Sequence, residues 1–186
     1  MFILKSRSDL SQLVLVDLQT RLFAAMPEDE RASVTRTARI LLRAADTLGI
    51  PVTVTEQYPQ GLGPTEAELS ACLTEKSVRF EKTGFSCCLA NGLRPAVEMN
   101  GRRQVVLLGQ EAHVCVLQSA LDLLSLGFQV FVVEDGVCSR NRAHKSNALD
   151  RLRQAGVVVT NVESVLFEWL GDALHPEFKA LSALIR

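Results

Sequence analysis

The sequence is poor in the features that mark several protein classes. Aromatic residues make up only 5% of it, with a single tryptophan and a single tyrosine, and the formal net charge is −1. A near-neutral chain without a dense basic cluster gives no reason to expect nucleic acid or an anionic membrane surface as a partner. No apolar run approaches the roughly 20 residues that a membrane-spanning helix needs. We therefore expect a small-molecule substrate as the main partner.

Patterns of metal ligands and disulfides are missing too. The three histidines are scattered, and no D-x-H, H-E-x-x-H or paired Cys/His motif occurs, so we expect neither a bound metal nor another cofactor. The five cysteines are odd in number and lack C-x-x-C spacing, which is typical of free thiols in a reducing compartment. Residues 1–5 are too short for a signal peptide, and we expect a cytoplasmic protein.

What the sequence does contain is a repeated α/β pattern. Its 186 residues fit one domain spanning residues 1–186. Helical periodicity ends in a glycine, and a short β-rich run follows each time. Such alternation predicts right-handed βαβ units and a parallel sheet covered by helices on both faces, which is a three-layer, Rossmann-like α/β/α fold. The four punctuating glycines are Gly49, Gly101, Gly127 and Gly156.

Three chemically capable side chains follow predicted strands. Asp17 comes after the first strand, Lys82 ends a less certain one, and Cys115 stands shortly after another. Ligands of parallel α/β sheets bind outside the carboxyl ends of the strands, so we expect these three to converge there. Each also has an ordinary explanation, because buried cysteines are common, Asp17 could cap a helix, and Lys82 could be a solvated charge.

Cys115 is the candidate nucleophile. A thiol at a helix N-terminus beside a lysine ionises more easily, whereas a neighbouring aspartate opposes ionisation. From the first two effects we expect iodoacetamide at pH ~6.5 to label Cys115 faster than the other four cysteines.

Three separated segments resemble the isochorismatase-like cysteine hydrolases, and most of all the branch of isochorismatase domain-containing proteins. The resemblance spans nearly the whole chain, from about Asp9 onward. It rests on Leu-Val-Asp-Leu-Gln (15–19), Phe-Glu-Lys-Thr-Gly-Phe-Ser (80–86) and Leu-Gly-Gln-Glu-Ala-His-Val-Cys-Val (108–116), and Thr-Glu-Gln-Tyr-Pro (55–59) points to the branch.

The resemblance implies a six-stranded parallel sheet in the order 3-2-1-4-5-6 and a catalytic triad of Asp17, Lys82 and Cys115. It also implies a non-proline cis peptide between Gln110 and Glu111, with an oxyanion hole formed by the N–H groups of Glu111 and Cys115. Candidates for the substrate-binding wall are Gln19, Gln57, Tyr58, Phe85 and His113.

Two departures from the family narrow the expected chemistry. Nicotinamidases carry a metal-binding D-x-H after the second strand, where this chain has no histidine, so nicotinamide is a poor guess for the substrate. True isochorismatases cleave a vinyl ether and lack the cysteine. The presence of Cys115 favours a hydrolase of a small amide or related C–N compound that works through a thioester. Two alternatives stay open, namely a vinyl-ether hydrolase using Asp17 as its acid, and a non-enzymatic interaction protein or thiol sensor.

The C-terminal tail suggests a homo-oligomer. From Val165 onward it is rich in large apolar residues, including Phe167, Trp169 and Leu170, which could form an interface or could pack on the sheet of the same chain.

Overall fold

The computed structural model describes residues 5–185. Residues 1–4, which form most of the segment judged too short for a signal peptide, lie outside this range. The described chain contains a six-stranded sheet. Its strands are β1 (Ser11–Val16), β2 (Val52–Gln57), β3 (Val78–Lys82), β4 (Gln104–Gln110), β5 (Gln129–Cys138) and β6 (Val158–Thr160).

All neighbouring strands run parallel, in the order β3-β2-β1-β4-β5-β6. The predicted sheet and its strand order are therefore confirmed, including the uncertain strand that ends at Lys82. β1 lies between β2 and β4, so the residue that follows it emerges at the middle of the carboxyl edge.

Helices cover both faces of the sheet. On one side pack α1, α2, α8 and α9, and on the other α5, α6 and α7. The three-layer prediction is thus confirmed, and the assignment of residues 1–186 to one domain stays a prediction. The helices are α1 (Thr20–Ala24), α2 (Glu28–Leu48), α3 (Pro59–Leu62), α4 (Ala67–Ser70), α5 (Leu93–Met99), α6 (Leu117–Ser125), α7 (Arg142–Ala155), α8 (Val162–Leu170) and α9 (Phe178–Ser182).

The longest helix, α2, shows why the pattern in the sequence was informative. Val34, Ala38, Leu41 and Ala45 recur at helical spacing and are fully buried against the sheet. Gly49 ends the helix in the left-handed conformation, with φ of 66°, and its N–H donates to carbonyl groups of the last turn. The next strand can therefore begin three residues later.

β5 is longer than the sequence suggested. The apolar run ends at Val133, yet the strand continues to Cys138. Leu107 of β4 pairs with Val132 of β5, and Gly109 pairs with Val137. Advancing two residues along β4 therefore takes five residues along β5, so β5 contains an irregular, bulged segment. Because of this extension, the residues after Cys138 reach the carboxyl edge.

The apolar tail packs on its own chain. Val165, Leu166, Trp169 and Leu170 on α8 are all buried beneath the sheet face that α2 also covers. Burial within the chain therefore accounts for these four residues of the tail, whereas Phe167 and Leu174 stay 40% and 91% exposed. Among residues 5–185, no helix combines the length and apolarity needed to cross a bilayer.

A close approach between β4 and β1 makes Gly109 a strict requirement. Its φ is 134°, and a Cβ built there would lie 2.1 Å from the carbonyl oxygen of Val16. Residues with a Cβ atom rarely adopt this backbone conformation. The clash is with the backbone of Val16, which cannot move aside as a flexible side chain could.

We predict that Gly109→Ala lowers the free energy of unfolding by more than about 3 kcal/mol, because it combines strain with a backbone clash. Gly156→Ala is the matched control. It also has positive φ, but nothing lies within 4 Å of the new methyl group, so the loss should be about 1 kcal/mol. Urea denaturation measures both, and equal losses would contradict the prediction.

Candidate functional site

Asp17 leaves the end of β1 with its backbone in the left-handed region, at φ of 53°. Aspartate tolerates this conformation better than most residues, and such outliers cluster at functional sites. Its carbonyl accepts from the Gln110 side chain at 2.9 Å, which ties β1 to the end of β4. Its carboxylate is fully buried and accepts from the Thr55 hydroxyl at 2.7 Å and from Lys82 at 2.6 Å.

The Lys82 ammonium is equally buried, and four oxygen atoms surround it. Besides Asp17, it donates to the side-chain carbonyl of Gln57 at 2.6 Å and to the backbone carbonyls of Gly84 and Phe85 at 3.2 and 3.0 Å. A buried ammonium with this many partners is held in one place. It joins β2, β3 and the loop after β3.

Cys115 lies in a wide helical turn that precedes α6. Residues Ala112–Val116 form a π-helix, which continues directly into α6 at Leu117. The sequence suggested that Cys115 opens an α-helix, whereas it is the fourth residue of this wider turn. Such turns are frequent at functional sites.

The resting thiol of Cys115 is neutral. Burial and then the negative charge of Asp17 raise its pKa to about 12, and the opposing effect of Lys82 is smaller. This raised pKa runs against the expectation of a readily ionised thiol, because the residue is only 7% exposed and the Asp17 carboxylate acts on it. We call Asp17, Lys82 and Cys115 the candidate triad, since both partners are close enough to act on the thiol.

The backbone between β4 and Cys115 follows an unusual path. The Gln110–Glu111 peptide is cis, at the position that the family resemblance implies. The Glu111 carbonyl accepts from Val114 and Val116 across the turn, at 3.0 and 3.2 Å. The Glu111 N–H donates to no protein acceptor within residues 5–185.

Two predicted substrate-binding residues, Gln19 and Gln57, use their side-chain amides in hydrogen bonds within the protein. Gln19 is fully buried, donates to the carbonyls of Gln57 and Gly63 at 3.0 and 2.6 Å, and accepts from the Gln57 N–H at 2.6 Å. Gln57 in turn donates to Thr83 and accepts from Lys82. Their amides brace the loops, so the structure argues against a direct role for either in holding substrate.

Tyr58 and Phe85 flank the site from loops after β2 and β3, and their side chains are 55% and 53% exposed. Leu89, which sequence reasoning missed, is still more exposed at 68% and packs against Gly84. Tyr58 and Leu89 line one groove together with Lys82, and the Phe85 carbonyl accepts from that lysine, so we call these three residues the apolar rim. No periodicity signals them, because each belongs to a loop rather than to a regular element.

His113 belongs to a polar cluster that the sequence did not reveal. Its Nδ1 lies 2.9 Å from the Ser139 hydroxyl, and its ring packs against His144 with centroids 4.8 Å apart. Burial lowers the pKa of His113, while the charge of Glu111 partly opposes this effect. The Glu111 carboxylate accepts from the backbone and the guanidinium of Arg140 at 3.0 and 3.1 Å.

Ser139 and Arg140 reach this cluster because β5 extends beyond its apolar run. The signal that could have found them is their position just after Cys138, which pairs with Gln110. Thr55 was also missed as a partner of Asp17, although it stands in the motif that pointed to the family branch. In the described part of the chain, no three metal-ligating side chains come together.

The architecture and this site define a class: a three-layer α/β protein with a buried thiol, carboxylate and ammonium at the carboxyl edge of its sheet. The model of the isochorismatase domain matches residues 11–164. The chain belongs to the isochorismatase family.

Among relatives, "Isochorismatase domain-containing protein 1" of Salmo salar is 46% identical over 146 residues. That match covers 78% of this chain and 51% of the relative, so the chain spans about half the length of that protein. A solved structure of the MAR1 ribonuclease from Caenorhabditis elegans is 37% identical, covers 97% of this chain and 92% of its own, and has a TM-score of 0.90.

Two more distant structures share the fold alone. The YcaC gene product from Escherichia coli, described as an octameric hydrolase of unknown specificity, is 24% identical with a TM-score of 0.91, covering 100% and 91% of the two chains. N-carbamoylsarcosine amidase from Thermoplasma acidophilum is 24% identical with a TM-score of 0.71, covering 82% and 96%.

The thiols should react in an order opposite to the one expected from the sequence. A hydrogen bond from Cys87 lowers the pKa of the half-buried Cys88, whereas the pKa of Cys115 is raised to about 12. We predict that iodoacetamide at neutral pH labels Cys88 before Cys115. The Cys115 rate should still rise at pH 10, because its thiolate fraction keeps growing below its pKa.

Peptide mapping by mass spectrometry measures both rates across the pH range. Asp17→Asn removes the neighbouring negative charge and should speed the labelling of Cys115 without changing that of Cys88. A plateau of the Cys115 rate below pH 8 would contradict the raised pKa.

Proposed function

We propose that the chain is a hydrolase of small amides or related C–N compounds, with Cys115 as the nucleophile. The observation that carries this proposal is the electrostatic environment of the buried thiol, where a carboxylate and an ammonium act on it with opposite signs. A thiol with a base and a cation beside it is the arrangement needed for covalent acyl transfer.

In the first half-reaction, the Cys115 sulfur attacks the substrate carbonyl carbon while the thiol proton passes to Asp17. A C–S bond forms, and the carbonyl π electrons move to the oxygen. The N–H groups of Glu111 and Cys115 are the proposed donors to that oxyanion. When the carbonyl re-forms, the C–N bond breaks, and the leaving amine takes the proton from Asp17. Because the resting thiol is neutral, the base must act during the attack.

In the second half-reaction, water attacks the thioester carbon and gives a proton to Asp17. The C–S bond breaks as the carboxylic acid product forms, and the proton returns to the Cys115 sulfur. The enzyme is thereby restored without any co-reactant other than water.

Lys82 and Thr55 keep Asp17 in position for both steps. The ammonium binds one carboxylate oxygen at 2.6 Å, and the Thr55 hydroxyl binds the other oxygen at 2.7 Å. Gln57 supports the lysine in turn. These three are positioning residues in this proposal, and Asp17 and Cys115 are the catalytic ones.

The substrate is expected to be small. Cys115 is only 7% exposed, so a reacting carbonyl must reach a nearly buried sulfur, and we place the exposed Tyr58 and Phe85 at the border of its path. His113, held toward Ser139, is the candidate for a polar contact with the substrate. A neutral ring, which the lowered pKa of His113 favours, can donate or accept one hydrogen bond there.

Turnover tests the proposal directly. We predict that Cys115→Ser and Asp17→Asn each lower the hydrolysis of a small-amide panel by roughly a thousandfold or more, because they remove the nucleophile and its base. Mass spectrometry should detect an acyl adduct on Cys115 in the wild-type protein. Cys72→Ser is the matched control, because Cys72 packs on the opposite sheet face, and it should keep full activity. Lys82→Met is a poorer test, because breaking a buried ion pair costs about 3–5 kcal/mol in stability.

The alternatives give different results in the same experiment. Hydrolysis of a vinyl ether that survives Cys115→Ala and fails in Asp17→Asn would support vinyl-ether chemistry. An adduct on Cys115 without turnover of any panel member would support a thiol sensor. Degradation of RNA that is lost in Cys115→Ser would indicate that this chain shares the ribonuclease activity named for its Caenorhabditis elegans relative. Each of these results would contradict amide hydrolysis.

We also propose that the chain self-associates. The Escherichia coli protein with this fold is described as octameric, and the apolar rim of Tyr58, Phe85 and Leu89 is exposed here beside the candidate site. An apolar rim of this kind can be covered by a second copy. Sedimentation at micromolar concentration should give a species larger than the 20.4 kDa chain, and a monomer alone would contradict the proposal.

A further inference from the structure

A cavity of about 740 Å³ lies along α2, between α4 and the C-terminal segment. This volume is within the usual range of small-molecule sites. Its lining includes Phe23, Cys72 and Leu184, all of which pack with the hydrophobic cluster on the α2 side of the sheet. Cys115 belongs to the cluster on the other side. The cavity is therefore separated from the candidate triad by the sheet.

The charges that line this cavity are mostly positive. Four arginines face two glutamates, which leaves an excess of two positive charges. Arg39 pairs with Glu68 at 2.6 Å. Within residues 5–185, none of the ion pairs involves Arg31, Arg36 or Arg43. Within the described residues, no ion pair therefore neutralises this excess positive charge.

One buried donor in the cavity wall lacks an acceptor. The Arg31 Nε is shielded from solvent and has no hydrogen-bond partner, and no other side-chain nitrogen or oxygen in the described residues is in this state. A shielded donor without an acceptor costs free energy, and the Arg31 residue that carries it is itself partly exposed, so an acceptor from outside the chain would be bound favourably there. Carboxylate and phosphate oxygens are the acceptors that match a guanidinium best.

The cavity also has an apolar part. Phe23 and Ile40 are buried at its wall, and Leu184 borders it from the C-terminal segment. We propose that this cavity binds an organic oxyanion, a carboxylate or phosphate monoester that carries an apolar group. The anion would accept from Arg31, and the apolar group would lie on Phe23 and Leu184.

Cys72 provides a direct readout of occupancy, because its half-buried thiol lines the cavity. Octanoate and octyl phosphate serve as the two anionic probes, and octanol is the neutral match. We predict that both anions slow the alkylation of Cys72 by iodoacetamide in a saturable way, whereas octanol does not. The alkylation of Cys88, across the sheet, should stay unchanged and reports on general unfolding. The anion that protects at the lower concentration identifies the preferred headgroup.

Arg31→Met tests the anion contact. It keeps the aliphatic part of the side chain and removes the donors, so protection should require about tenfold more probe. The fold should tolerate this change, because the substitution also removes the unpaired donor. Arg153→Met is the matched control. Arg153 lies on α7, pairs with Glu134 of β5 and with Asp150, and does not line the cavity. It should leave protection unchanged.

Three results would overturn the proposal. Equal protection by octanol and octanoate would mean that the cavity binds apolar chains without an anion contact. Unchanged protection in Arg31→Met would mean that Arg31 is not the donor to the anion. Protection of Cys72 that grows with protein concentration and without any probe would mean that a second copy of the chain covers this surface.

Discussion

The buried ion pair between Asp17 and Lys82 is the interaction on which the carboxyl edge of the sheet depends. Both side chains are fully shielded from solvent, and removing two charges from water is expensive unless every remaining hydrogen-bonding group is used. The structure meets that condition with Thr55 on the carboxylate and with Gln57 and two backbone carbonyls on the ammonium. One pair of charges therefore fixes the ends of β1, β2 and β3 and the loop after β3.

The same pair determines how Cys115 can react. A carboxylate close enough to take a proton also repels a thiolate, and burial adds to that penalty, so the thiol stays neutral at rest. The lysine offsets only part of the effect, because its charge is shared with Asp17. The proposed reaction therefore couples proton transfer to the attack and does not start from a preformed thiolate. In this arrangement Cys88, which lies outside the triad, is the thiol whose pKa is lowered.

The sheet divides the molecule into two chemical environments. On one face, the extension of β5 brings Ser139 and Arg140 to His113 and Glu111, just before Cys115 in the chain. On the other face α2 combines a buried apolar stripe with arginines that border a separate cavity. Because α2 packs across β1 and β5, both environments rest on the same rigid layer.

The strand order was implied by the resemblance of three motifs to the family. The sequence by itself determined the parallel sheet, the two helical layers and the prediction that Asp17, Lys82 and Cys115 converge at one edge. These follow from local periodicity, from glycines at helix ends and from the rule that parallel strands present their carboxyl ends together. Only the tertiary structure decided the pKa of Cys115, the use of Gln19 and Gln57 as braces, and the arrival of Ser139 at His113. Burial, charge separation and the irregular course of β5 are set by contacts between residues far apart in the chain, and no local pattern encodes them.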